Sequence, residues 1–497
     1  MPGVGQFARD RGLRRNGARP CTWQGRHVLC FVGEKENIVA TDKEEHGVRL
    51  QSDTGGKTGK PARRVLLALF LLSLALTAAG RAQAAPDNRE CEELSLDRAV
   101  EIAMAENPGL AAIQARYEAL AAVPDQAGSL PDPVLSLAAL NLPVDTFDAG
   151  QENMTQMQVG ISQKLPFPGK LKLREQAASS LAEAAASQVD EARLQLVRQV
   201  KNTWWDIYYL EQTLAIVRDN QDLLRATVGA ARTKYAVGKG LQQDVLLAQL
   251  ELSKLLDREI ALQNSLEKKK ADLNALLDAP ASFCISMPAA VATAMPEVEP
   301  EQTLLEEAFR TRPALLALAR EKDAAASRIE LARKDYYPDF TVGAAYGYRQ
   351  DSPDGRDRAD FASVRLSLNL PIWSATKQDR AVAQRTSETL AVEHRLRDTR
   401  DKVTAEVLRE LSEYESARKQ SRFYQHSIIP QAEQTAAAML KGYQVNKVDF
   451  LNVVRAQLAL YNYKITYWRL LTGGFKALAG LEAATGIQVQ REKSNEK

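Results

Sequence analysis

Apolar residues recur along this chain with two different periods, which predict long helices separated by short strands. No proline occurs from Lys170 to Leu277, and residues that lose little on entering a helix dominate there. Gly238 and Gly240 divide this stretch, and the piece near 170–234 would form a helix about 95 Å long. Apolar residues three or four apart give this piece a coiled-coil seam: Val197, Val200, Trp204, Ile207, Leu210, Leu214 and Val217.

The second half of the chain repeats this helical plan. Helix-forming composition runs from Ala375 to Lys441 and again from Asp449 to about Gly480. Pro430 lies inside the first of these stretches. We expect it to kink the helix, because proline lacks the N–H group that a helix interior needs.

Between the helices, four segments alternate apolar with polar residues and predict strands with one apolar face: 133–142, 154–165, 340–349 and 361–370. In the last segment, Val364, Leu366 and Leu368 are separated by polar residues. Alternation over about ten residues is typical of membrane β-barrel strands. Aromatic residues lie at the strand ends or on the apolar face, as in the girdles of such barrels: Phe340, Tyr346, Tyr348, Phe361 and Trp373. A soluble amphipathic sheet is the alternative.

Four strands are too few to form a closed barrel, since about eight are the least that enclose a filled interior. Open sheet edges are not tolerated in lipid, where every backbone polar group needs a partner. If the strands span a membrane, several chains must therefore contribute to one barrel by symmetric closure. The strand pattern predicts an oligomer.

An internal duplication explains why the two halves share one plan. Tyr-Ala-Val-Gly-Lys at 235–239 returns as Tyr-Gln-Val-Asn-Lys at 443–447, an offset of 208. Other pairs repeat at offsets of 205 or 207: Asn107-Pro108 with Arg312-Pro313, Pro131-Asp132 with Pro338-Asp339, and Leu165-Pro166 with Leu370-Pro371. The chain is thus one unit written twice. We assign a first repeat to 92–278, a linker to 279–302, a second repeat to 303–485 and a polar tail to 486–497.

Residues 61–84 are expected to be an export signal. Arg63 and Arg64 precede an apolar run from Val65 to Ala79, and Ala-Gln-Ala at 82–84 offers a small-residue cleavage site. A retained membrane anchor is the alternative, although the run is shorter than the roughly twenty residues a spanning helix needs. Residues 1–60 are interpreted as an over-called start or a disordered extension.

Charge and reactive residues narrow the function further. Residues 1–84 hold 14 of the 65 basic and 7 of the 63 acidic residues, so the remaining chain is mildly acidic and nothing indicates nucleic-acid binding. Cys91 and Cys284 are its only cysteines, and export makes a disulfide between them possible. No catalytic constellation, cofactor motif or metal site was found in the sequence, which argues against an enzyme.

The whole arrangement resembles the TolC-type outer-membrane efflux proteins over roughly residues 92–485. The resemblance implies a mainly α protein with a long coiled-coil helical tunnel. It also implies that three chains contribute four strands each to one twelve-stranded β-barrel. Such a homotrimer lies in the outer membrane lipid and extends into the periplasm. Its implied partners are a periplasmic adaptor (membrane fusion) protein and an RND-type inner-membrane pump.

The repeated turns resemble the family's periplasmic tips. In the first repeat the tip residues are Tyr235, Gly238, Lys239 and Asp244. In the second repeat, Val-Asp-Phe-Leu-Asn at 448–452 resembles a gate motif with two aspartates one helical turn apart. The resemblance gives these gate residues: Tyr443, Lys447, Asp449 and, in the place of the second aspartate, Asn452. A plain helix N-cap is the alternative role for the first aspartate.

Three short motifs resemble the heavy-metal branch of the family, which exports copper and silver or cobalt, zinc and cadmium: Leu-Pro-Asp-Pro at 130–133, Asn-Leu-Pro-Val-Asp at 141–145 and Gln-Lys-Leu-Pro-Phe-Pro-Gly-Lys at 163–170. A passive trimeric duct for heavy-metal cations is therefore expected. A drug-efflux or type I secretion duct of the same form is the first alternative. A secreted periplasmic coiled-coil adaptor is the alternative of another class, which fractionation with outer membranes would exclude.

Overall fold

The computed structural model describes residues 92–487 of the chain. The signal segment, the residues before it, Cys91 and residues 488–497 lie outside the described residues. The helices are α1 (Leu96–Glu106), α2 (Pro108–Ala121), α3 (Val123–Gly128), α4 (Lys170–Ala236), α5 (Gln242–Leu276), α6 (Glu301–Thr311), α7 (Pro313–Lys334), α8 (Gln378–Phe423), α9 (Ile429–Gln444) and α10 (Phe450–Thr485). The strands are β1 (Glu92–Glu93), β2 (Val134–Leu140), β3 (Gln156–Leu165), β4 (Ile285–Ser286), β5 (Phe340–Tyr348) and β6 (Phe361–Leu368).

The four strand segments expected from the sequence form one antiparallel sheet in the order β2-β3-β5-β6. Leu137 lies opposite Val159, which lies opposite Tyr346, so one face of the sheet is apolar from edge to edge. That face is uncovered, and the side chain of Val364 is 86% exposed. Among the described residues, β2 and β6 each have a neighbouring strand on one side only.

Helix α4 is the longest element, with 67 residues, and spans roughly 100 Å. Its buried aromatic residues organise the first core: Trp204 stacks on Tyr208 with ring centroids 5.5 Å apart, and Trp205 stacks on Phe475 of α10 at 4.4 Å. Burying a large apolar side chain contributes about 1.5–3 kcal/mol. The coiled-coil seam read from the sequence is thus the line along which α4 meets its neighbours.

Pro430 does not break its helix. A five-residue π-helical segment, Tyr424–Ile428, joins α8 to α9, and the proline is the second residue of α9. A π turn shifts the hydrogen-bond ladder by one residue, so the helix accommodates a proline that has no N–H to donate. The helix thus continues through Pro430 with a local change of helix type, and the expected kink stays a prediction.

The two repeats close in the same way at the end of the long helices. Asn107 precedes α2. Its side-chain NH₂ group donates to the carbonyl of Leu276 at 3.0 Å, and its side-chain oxygen accepts from the N–H of Leu110 and so caps α2. In the second repeat, Arg312 before α7 donates to the carbonyl of Ala483. Equivalent positions thus tie the start of one helix to the end of another.

Cys284 is disulfide-bonded. The three other cysteines of the chain precede residue 92, so its partner lies outside the described residues. The following residue, Ile285, pairs with Glu92 in the parallel β1·β4 ladder. That register agrees with a bond to Cys91, which stays a prediction.

Within residues 92–487, the helices include none that combines the length and the apolar character needed to cross a membrane.

Candidate functional site

The two repeated turns have one backbone geometry. In the α4–α5 turn, the Lys239 N–H donates to the Lys234 carbonyl at 2.8 Å, and in the α9–α10 turn the Lys447 N–H donates to the Gly442 carbonyl at 2.8 Å. These bonds satisfy carbonyls that a helix end leaves free. We call the two turns, residues 234–244 and 442–452, the tip.

Each turn passes through a left-handed residue. Gly238 has φ 67° in the first turn and Asn446 has φ 58° at the equivalent place in the second. Glycine adopts this conformation freely, and asparagine tolerates it better than most residues do. The glycine predicted for the first tip is thus needed for backbone geometry.

The two tip tyrosines differ in their surroundings. Tyr443 is 7% exposed and packs edge-on against Phe450 at 5.3 Å, in a cluster with Val228 and Ala248 of the first repeat. Tyr235, its counterpart, is 50% exposed. Only the second tyrosine therefore joins the helices of the two repeats.

Lys234 connects the two turns, and sequence reasoning missed it. Its Nζ donates to the Tyr443 carbonyl at 2.5 Å and to Asn446 Oδ1 at 2.7 Å. The same ammonium lies 3.8 Å from the centre of the Tyr443 ring, within cation–π range. A lysine predicted for this region, Lys447, is exposed instead.

A signal for Lys234 was present in the duplication. Its equivalent at an offset of 208 is Gly442, and the equivalent of Gly240 is Val448. A Cβ on Gly442 would lie 2.6 Å from Val448 Cγ2, and a Cβ on Gly240 would lie 3.0 Å from Lys234 Cβ. Each turn thus carries one large and one small residue at this pair of positions, in opposite order.

Each of the two turns of the tip carries one acidic side chain, Asp244 in the first and Asp449 in the second. Burial raises the pKa of Asp244, and the nearby Asp449 carboxylate raises it further, whereas Lys234 and a backbone hydrogen bond at Leu241 act in the opposite direction. Burial also raises the pKa of the Tyr443 hydroxyl, and Asp244 adds to this shift. The tip thus brings two carboxylates close together, with the half-buried ammonium of Lys234 beside them.

Asp449 occupies the N-cap position of α10, with φ −69° and ψ 148°, but its side chain makes no capping hydrogen bond. Its carbonyl accepts from the N–H of Asn452 at 3.1 Å. Both side chains are exposed, as is that of Lys239. The carboxylate is thus turned to the surface of the chain rather than used to cap the helix.

Within the described part of the chain, no cluster of three or more His, Cys, Asp or Glu side chains is arranged to hold a metal ion.

Proteins similar to this chain are described or named as outer membrane and efflux proteins. A family profile described as "Outer membrane efflux protein" matches residues 99–279 and 304–487. The cobalt-zinc-cadmium resistance protein CzcC of Cupriavidus metallidurans is 23% identical over 394 residues, or 79% of this chain and 90% of that protein. Outer membrane protein TolC of Vibrio cholerae is 22% identical over 291 residues, or 57% of this chain and 66% of that protein. The solved structure of outer membrane protein VceC of Vibrio cholerae shares the fold, with a TM-score of 0.68 at 19% identity over 80% of this chain and 97% of that one.

Proposed function

Because the chain belongs to the outer membrane efflux protein family, we propose that it is the passive outer-membrane duct of a tripartite system that exports heavy-metal cations. Family membership places it in the outer membrane, extending into the periplasm, as an efflux channel and not an enzyme. The tripartite assembly, the trimer and the cargo are the parts that we propose.

One observation is the main support for the proposal of a duct. The strands of a four-stranded sheet with an uncovered apolar face lead into helices of 67 and 46 residues. The apolar face suits lipid, and helices of roughly 70–100 Å suit a tunnel through the periplasm. A secreted periplasmic adaptor would have no use for such a sheet.

Three copies complete the barrel. Four strands per chain leave the edges of β2 and β6 open, and lipid does not tolerate open edges. Three chains supply twelve strands, enough to enclose a water-filled lumen. The tunnel then ends at the tip, where a periplasmic adaptor and an RND-type inner-membrane pump supply the cargo and the energy.

Heavy-metal cations are the proposed cargo. The relative that aligns over 79% of this chain is named for cobalt-zinc-cadmium resistance. The exposed Asp449 carboxylate also supports a cation, since three chains would place three such charges around one axis. Negative charges that share a site attract cations. Asn452 is neutral, which limits the ring to one carboxylate per chain.

Growth of a deletion strain tests the cargo. We expect selective sensitivity to one or more of copper, silver, zinc, cobalt and cadmium, and restoration by the gene. Bile salts, dyes and antibiotics are tested in parallel. Sensitivity confined to these organic compounds would reject metal cargo and favour a drug-efflux or secretion duct.

A further inference from the structure

The joint between the two repeats inside one chain has a buried ion pair. Lys170, the first residue of α4, has a side chain only 3% exposed, with Nζ 2.9 Å from Asp339 Oδ1 and 3.0 Å from Asp335 Oδ1. Next to it, Phe167 stacks on Tyr337 with ring centroids 4.5 Å apart. This joint lies directly beneath the β3·β5 pairing, so it locks the strands of the two repeats to each other.

The same residue types recur at the two open edges of the sheet. Asp132 repeats Asp339, and Lys377 repeats Lys170, both at an offset of 207. Asp132 lies two residues before the edge strand β2, whereas Lys377 lies between the other edge strand, β6, and α8. Both side chains are exposed, and within residues 92–487 neither forms an ion pair. Each edge therefore carries half of the joint.

The two halves cannot meet within one chain. Strands β2 and β6 are separated by β3 and β5, and three strand spacings amount to about 14 Å. A second copy placed edge to edge removes this separation, because its β2 lies beside β6 of the first copy. Asp132 and Lys377 then stand in the relation that Asp339 and Lys170 have inside the chain.

We propose that Lys377 of each subunit forms an ion pair with Asp132 of the partner subunit, and that β6 pairs with the partner's β2 in the register of β3 with β5. The occupant of both open edges is a second copy of this chain. This inference rests on the proposed oligomeric duct and adds the residues and the register that join its subunits.

The repeat gives the register residue by residue. Within the chain, Ile161 lies opposite Ala344. Ile161 is repeated at Leu366, by the offset of 205 that relates Leu165 to Leu370, and Ala344 is repeated at Leu137 by the offset of 207. Leu366 therefore lies opposite Leu137 of the partner subunit.

This register keeps the apolar face continuous across the joint. The neighbouring pairs, Leu368 with Leu135 and Val364 with Ala139, also join residues of the apolar face. A slip of one residue would bring the apolar side chains of one subunit against the polar face of the next. A slip of two residues would preserve the faces and must be excluded by experiment.

A third contact follows from the same repeat. Phe167 and Tyr337 correspond to Ile372 and Leu130, which are 70% and 52% exposed. An apolar contact between them would replace the aromatic stack. The segment from Leu370 to Lys377 is two residues longer than its counterpart, so the lysine precedes α8 rather than beginning it.

Disulfide crosslinking of the full-length protein in outer membranes tests the register. With Leu366→Cys and Leu137→Cys in one chain, we expect oxidation to convert most chains into covalent trimers on non-reducing gels. Pairing Leu366→Cys with Leu135→Cys or Ala139→Cys is the matched control. These residues are offset by two, which exceeds the reach of a disulfide. Stronger crosslinking in either control pair would overturn the register.

Charge reversal tests the ion pair. Lys377→Asp and Asp132→Lys should each lower the temperature at which the detergent-resistant trimer dissociates, and the double variant should restore it. Arg380→Asp, at an exposed cation three residues further along, should leave it unchanged. A double variant as labile as the single ones would overturn the ion pair. If the native protein forms no trimer at all, the proposed duct itself fails.

Discussion

At the scale of the residue, the duplicated tip shows how equivalent positions have diverged. Asp244 of the first repeat corresponds to Asn452 of the second, and Asp449 corresponds to Leu241. Each turn thus retains one acid, at a different place. The two acids are close enough for the Asp449 carboxylate to raise the pKa of Asp244, after burial as the larger cause. Their mutual repulsion is a property of the packed tip.

The pH dependence of conductance tests these acids. A raised pKa means that the packed tip binds a proton more readily than an opened tip, where Asp244 has its ordinary pKa. The ionised carboxylate destabilises the packed tip above the raised pKa, and this penalty disappears as the pH falls below the ordinary value. We expect single-channel conductance in planar bilayers to fall on acidification.

Asp449→Ala should lower the conductance at neutral pH, because it removes the repulsion between the two carboxylates that destabilises the packed tip, and it should weaken the pH dependence by removing one cause of the raised pKa of Asp244. Asp222→Ala removes an exposed carboxylate of α4 and serves as the control. If Asp449→Ala conducts like the native channel at every pH, these residues do not form a gate.

At the scale of the element, much of the fold could be predicted from the sequence. The predicted strand boundaries agree with the observed ones to within about two residues. Alternation with a period of two identifies strands well, because it reports directly which side chains share one face of the sheet. Helices α1–α3, α6 and α7 were not predicted. Most of them are short, and tertiary contacts stabilise short helices more than propensity does.

The candidate tip was harder to predict than the strands. The repeat located both turns, but Lys234 acts through a contact between elements more than 200 residues apart, which no local pattern encodes. The comparison of Lys234 and Gly240 with Gly442 and Val448 was the one available signal.

Lys234→Met tests the tie between the two turns. Methionine keeps an unbranched apolar chain but removes the charge, the two hydrogen bonds and the cation–π contact with Tyr443. Hydrogen bonds to charged groups contribute about 1.5–3 kcal/mol each. We expect a higher resting conductance and faster proteolysis at the turns, with trimers of unchanged stability.

Lys239→Met, at an exposed lysine of the same turn, is the matched control for Lys234→Met. Equal effects of the two substitutions would show that net charge at the tip, and not the tie, controls the aperture.

At the scale of the whole molecule, the internal duplication explains how the proposed subunits would join. One unit occurs twice in the chain, and three chains would repeat it six times around an axis. The joint within the chain at Lys170 and Asp339 then alternates with the joint between chains at Lys377 and Asp132. Strand pairing and tunnel packing follow from the same repeat.

Electron cryomicroscopy of the full-length protein purified from outer membranes tests the duct most directly. We predict three copies around one axis, twelve strands in one closed barrel, and long helices that continue it to the paired turns at the tip. A monomer, a ring of another number of copies, or a sheet whose β2 and β6 edges remain open would contradict the account.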